Sequence, residues 1–186
     1  MTAGETPSAA ESDLDLRATA AHESGHAVIG LVYGLPMRRA VLYAGLGAFV
    51  TFLDAPFALE GVSESIVAMD LDDVTRRPVR ISRSWDLAAY LVMSEAGEAS
   101  ASHVRGRRTD GVWQDRYETE HVLAAAMQRA PYSAEVQFMI AGIVRAAEAA
   151  VRVHWLWIQA VADALMERRV LSAADVLACR PGGERR

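Results

Sequence analysis

Apolar residues recur along this chain mainly at the alternating steps of three and four that mark one face of an α-helix. Leu14, Ala18, Ala21, Gly25, Val28, Ile29 and Val32 follow that rhythm. Ser12 with Asp15 resembles a capping box and predicts a helix start near Asp13, while Gly34 and Pro36 end it. The pattern then changes period. "AVLYAGLGAFVTFL" contains two β-prone runs around a Gly-rich turn and reads as a hairpin. Residues 54–80 carry mixed signals and read as a loop region with a short helix. Helical spacing returns from about Ser84 to Val104 and again over "WQDRYETEHVLAAAMQRA", with "RGRRTDGV" as the loop between them. Pro131 interrupts. From Ser133 to about Arg169 the pattern is long and helical, as one bent helix or two, and Ser172 with Asp175 opens a short last helix. Residues 1–11 and 179–186 are polar tails expected to be disordered, leaving one domain over residues 12–178. The expected fold class is mainly α with a small β hairpin.

Composition narrows the function classes. Hydrophobic residues make up 52% and charged residues 23%, as in a compact globular domain. A net charge of −5 offers no nucleic-acid surface. All 19 basic residues are arginines, so a standard Walker phosphate loop, which needs a lysine, is excluded. The single cysteine, Cys179, excludes an internal disulfide and a Cys-rich zinc site. "MTAGETPSAAESDLDL" is acidic where a signal peptide is basic and apolar, and the most apolar run is broken by Arg152, His154 and Asp163. No membrane segment and a cytoplasmic location are the resulting expectations.

One stretch carries chemistry. "ATAAHESGHAVIG" places His22 and His26 four residues apart with Glu23 beside the first. A four-residue helical step turns about 400°, so the two imidazoles stand about one turn apart on one face. That spacing lets two ring nitrogens reach one tetrahedral zinc at about 2.0–2.1 Å. Glu23, about 100° further round, lies beside the cation, where a carboxylate can act as general base on a water and pass the proton to a leaving amine. Ser24 and Gly25 are small and leave room around it. The competing explanation is a chance match on an ordinary helix. Two histidines do not close a zinc site, and the candidates for a third ligand are His103, His121, His154, Glu95, Glu98, Asp110, Asp115 and the cluster Asp70, Asp72 and Asp73. Spacing does not choose among them.

"TAAHESGHAVIG" resembles the catalytic helix of FtsH-type zinc peptidases, whose motif is His-Glu-Ala-Gly-His-Ala; Ser24 is the one departure within it. "AGEASASHVRGRRTDGVWQD" is similar to that family's second signature, with Gly97, Ala99, Gly106, Gly111 and Asp115 at matching positions. "WIQAVADALMERRVLSAADVLA" is similar to its closing helices, so the likeness runs over residues 18–178. The resemblance implies a helical zincin-like metallopeptidase domain with Zn2+ held by His22, His26 and Asp115, and Glu23 as the catalytic residue. Asp115 falls where a loop meets a helix, a place from which a carboxylate can point out of the helix end; the alternative there is an Asp satisfying free N–H groups. The chain departs from the family in three ways. Its usual glutamate falls at Ala101, segment 54–80 is longer, and the ATPase and membrane parts that precede the family's peptidase domain have no counterpart before residue 18.

The expected function is therefore a stand-alone zinc-dependent endopeptidase, ATP-independent by itself, that cuts unfolded or flexible polypeptides. The hairpin offers an edge for a substrate strand or serves only as structure. A separate ATPase partner and a homo-oligomer are compatible with this reading. Ala101 supports the alternative, a zinc-binding scaffold or regulatory protein with a peptidase-like fold and little activity. A hydrolase acting on something other than a peptide is a further alternative.

Overall fold

The computed structural model describes residues 9–43, 47–52, 84–107 and 113–182. In chain order these form α1 (Ala9–Val32), β1 (Met37–Tyr43), β2 (Gly47–Phe52), α2 (Ser84–Arg105), α3 (Trp113–Met127), α4 (Ala134–Arg168), β3 (Val170–Ser172) and α5 (Ala173–Ala178). The fold is mainly helical with one small antiparallel sheet.

α1 begins at Ala9, not near Asp13. Ala9, Ala10 and Glu11 are strong helix formers and extend the helix past the apparent capping box, and Arg17 pairs with Asp13 at 3.0 Å one turn away inside it. Residues 9–11 are thus helix rather than tail. The other end follows the sequence. Gly34 takes φ +77°, and the amides of Gly34 and Leu35 return to the carbonyls of Leu31 and Gly30 at 3.1 and 2.8 Å, a Schellman closure that only the glycine makes cheaply. Leu35 is then delivered into the core.

β1 and β2 form the expected hairpin, with Val41 opposite Phe49 and Leu42 opposite Ala48. β1 is the middle strand, because β3 pairs with its other edge through Ala40 opposite Leu171. The long pattern after Pro131 is one helix, α4. Ser133 caps its start, and Arg169 at φ +67° ends it by returning its amide to Leu165 at 2.8 Å. The Arg169 carbonyl then accepts from the Leu42 amide at 2.8 Å, which ties the end of α4 to the sheet. Ser172 and Asp175 form the capping box of α5. Cys179 donates back into α5 and Arg180 lies over the Trp157 ring at 5.4 Å, so the chain stays packed past Ala178 rather than becoming a tail there.

The main core joins Val28 and Ile29 of α1, Met93 and Ala96 of α2, Ile158 and Leu165 of α4, and Leu42 and Leu171 of the sheet. A second cluster, around Leu91, Leu123, Val136 and Ile140, fastens α3 between α2 and α4. Residues 54–80 lie outside the described residues. Among the described residues no helix is long and apolar enough to cross a membrane.

Candidate metal centre

The histidine pair sits where α1 crosses α2 at close range. Two glycines allow that approach. A Cβ on Gly25 would stand 2.5 Å from the Ala96 carbonyl oxygen, and a Cβ on Gly97 would stand 2.6 Å from His26 Cε1 and 2.7 Å from His22 Nε2. Neither can carry a side chain without moving a neighbour that is itself packed. The hydroxyls of Ser24 and Ser100, buried in the same crossing, donate to the carbonyls of Ala20 and Ala96 one turn back, at 2.7 and 2.8 Å. The hydroxyl at position 24 is thereby satisfied and is compatible with the burial of this helix face.

Of the third-ligand candidates, Asp115 is the described one whose ligand atom meets those of both histidines. It lies in the first turn of α3, where a helix N-terminus favours a carboxylate. His22 Nε2 is 3.0 Å from His26 Nε2 and 2.9 Å from Asp115 Oδ2, and His26 Nε2 is 3.4 Å from the same oxygen. A tetrahedral cation with bonds of about 2.0–2.2 Å needs ligand separations of roughly 3.3–3.6 Å. The observed triangle is within a few tenths of an ångström of that.

The donor chemistry makes the same point. His26 Nδ1 is 2.9 Å from the Met93 carbonyl, an acceptor, so that nitrogen carries the proton. In the neutral ring, Nε2 then presents a lone pair toward the centre of the triangle. Asp115 Oδ2 is buried there and meets no hydrogen-bond donor in good geometry, although His22 Nε2 is close. At most one N–H can lie between the two Nε2 atoms, and a lone pair facing a carboxylate oxygen is repulsive. A proton on His26 or a single metal ion bound by all three relieves this arrangement, and the three ligand atoms lie close enough together to hold such an ion.

Charge is displaced in the same sense. Burial acts to lower the His26 pKa, but the Asp115 carboxylate 3.4 Å away, Glu23 and the Met93 carbonyl outweigh it and raise it to about 9. Burial would likewise raise the Asp115 carboxyl, yet the two imidazoles hold it well below the usual carboxylate range. Glu23 is buried, and that burial pushes its carboxyl above the ordinary value against the pull of His26 and His22, with Asp115 adding to the rise. A carboxylate of raised basicity beside a cation site is suited to taking up a proton.

The remaining candidates go elsewhere. Glu95 is buried and pairs with Arg116 at 2.9 Å. Glu98 accepts from Ser102 at 2.8 Å. His103 stacks on Trp155 with ring centres 4.1 Å apart, His121 Nδ1 lies 2.8 Å from the Tyr117 carbonyl, and His154 meets the edge of Trp157. Asp70, Asp72, Asp73, Asp110 and Gly111 lie outside the described residues, as does the Trp113 side chain. Ala101 is buried and brings no carboxylate to the site. The Met93 carbonyl, which fixes a tautomer, has no sequence signal of its own; Gly97, a matched position of the resemblance, is the bare floor beneath the rings, and Glu95, a third-ligand candidate, instead pairs with Arg116 and ties the start of α3 to α2 one residue from Asp115.

Compared with known proteins, the sequence matches no family model and no curated protein.

Proposed function

We propose that this chain is a zinc-dependent endopeptidase domain of the FtsH-like kind, acting on unfolded or flexible polypeptides. The observation that carries this reading is the convergence of His22, His26 and Asp115 with the buried Glu23 carboxylate next to the first histidine. Zinc held there would supply Lewis acidity toward a peptide carbonyl and would lower the pKa of water toward neutrality. Every other step belongs to the chain. His22 and His26 hold the cation from one helix face, with the Met93 carbonyl keeping the His26 ring in its binding tautomer. Asp115 completes the set and offsets one of the two positive charges. Glu23 takes the proton of the attacking water and returns it to the leaving amine nitrogen.

Substrate in this reading is held as an added strand. β2 is the terminal strand of the sheet on the hairpin side, pairing with β1 alone among the described strands, and an extended peptide can hydrogen-bond along such an edge. Zinc itself, cleavage, a separate ATPase partner and a cytoplasmic setting are parts of the proposal.

Cleavage of casein or a fluorogenic peptide library by the wild type beside Glu23→Gln tests it. Glutamine keeps the shape and removes the base, so the expected loss is about 100- to 10,000-fold with zinc content unchanged. A wild type that binds zinc and cuts nothing favours the second reading, a zinc-binding scaffold, for which the missing carboxylate at Ala101 is the supporting feature.

A further inference from the structure

α4 is more apolar than a helix with one packed face needs to be. Ile140, Val144, Val151 and Ile158 face the core. On the opposite side Gly142, Ala146, Ala149, Val153, Leu156 and Ala160 follow one another at alternating steps of four and three, with no charged residue among them. Val153 is 77% exposed and Leu156 70%. A surface helix normally carries its charges there, and a period of 3.5 is the seam of a coiled coil. At about 100° per residue, Arg145, Arg152 and Asp163 all border this stripe on the same side.

We propose that this seam pairs antiparallel with the same seam of a second copy of the chain, about a two-fold axis passing near His154 and Trp155. In that register Val153 of one copy lies against Leu156 of the other, twice by symmetry, and Ala149 lies against Ala160. The two most exposed large residues thus meet at the axis while small residues let the helices close on either side. Arg145 comes level with Asp163 of the other copy on the same flank, again twice. A parallel pairing sets like residues level and gives Arg145 no acidic neighbour. The two helices overlap from Ala141 to Arg168, about 40 Å, and the exposed arc of a helix about 11 Å across is about 13 Å wide. That gives on the order of 550 Å² per copy and 1,100 Å² in total, just above the roughly 1,000 Å² of a specific interface. The pairing is independent of whether the metal centre is catalytic.

Sedimentation equilibrium of the full chain from about 1 to 200 µM tests it. The expected mass rises with concentration from 20.2 kDa to twice that value. Leu156→Arg and, separately, Val153→Glu stay at the monomer mass with an unchanged far-ultraviolet circular dichroism spectrum; both positions are exposed, so the fold survives at least one of them. Arg145→Asp weakens pairing about tenfold or more, and adding Asp163→Arg restores it. A wild type that is monomeric throughout overturns the proposal, meaning that another protein or a part of this chain outside the described residues covers the face. A dimer indifferent to both stripe variants overturns it too, and failure of the double charge swap to restore pairing overturns the antiparallel register.

Discussion

At the scale of single residues, the site depends on atoms that must come together and on one that must be missing. Gly97 is the clearest case. Alanine there places a methyl group against both rings, so Gly97→Ala is expected to lower zinc affinity at least about tenfold and to destabilise the fold by about 1–3 kcal/mol, read by zinc titration and urea unfolding. Unchanged affinity would show that the rings do not bind over that position. The raised His26 pKa gives a pH dependence of definite sign. Zinc must displace the proton that His26 holds up to about pH 9, so affinity is expected to climb by about one decade per pH unit between roughly pH 6.5 and 9 for each proton displaced. In chelator-treated protein the same shift acts on stability. His26 binds its proton more tightly folded than unfolded, so its contribution is complete below about pH 6.5 and drains away as pH rises toward 9. Urea midpoints at several pH values, with and without zinc, check both. A zinc affinity flat across that range would contradict the Asp115–His26 contact.

At the scale of elements, α2 is the platform and α3 the arm. α2 supplies the Met93 carbonyl, the bare Gly97 and the buried Glu95, and Arg116 reaches from α3 to Glu95. That ion pair fixes the first turn of α3, and with it Asp115. Arg116→Met removes one ion-pair partner from a carboxylate that is 3% exposed. Because Arg116 itself is 35% exposed and solvent screens part of the pair, the expected cost is about 1–3 kcal/mol. Zinc affinity is expected to fall with it, whereas Arg105→Met, which loses an exposed pair with Asp15 at the far end of α2, should leave affinity alone. Equal effects of the two variants on zinc would contradict a positioning role for Arg116.

At the scale of the whole molecule, what could be read in advance follows the range over which each signal acts. The His22–His26 face was legible because a helix repeats locally, and the starts of α4 and α5 because Ser133, Ser172 and Asp175 cap within their own turn. The start of α1 was misplaced because two alanines and a glutamate before Ser12 extend the helix past a side-chain pattern that only resembles a cap. β3 went unseen, since three residues are too short to show a period and its strand character comes from pairing with β1. Asp115 was one of several acids by spacing alone and stood out only through resemblance, because its distance from the histidines in sequence is closed by tertiary packing of α2 and α3.

Zinc content of the purified chain beside His22→Ala, Asp115→Ala and Glu23→Gln puts the central idea to its most direct test. If two imidazoles and a distant carboxylate share one cation while Glu23 stands free of it, the wild type and Glu23→Gln each hold about one zinc per chain and the other two variants lose it. Full zinc in Asp115→Ala, or none in the wild type after zinc loading, would contradict the account.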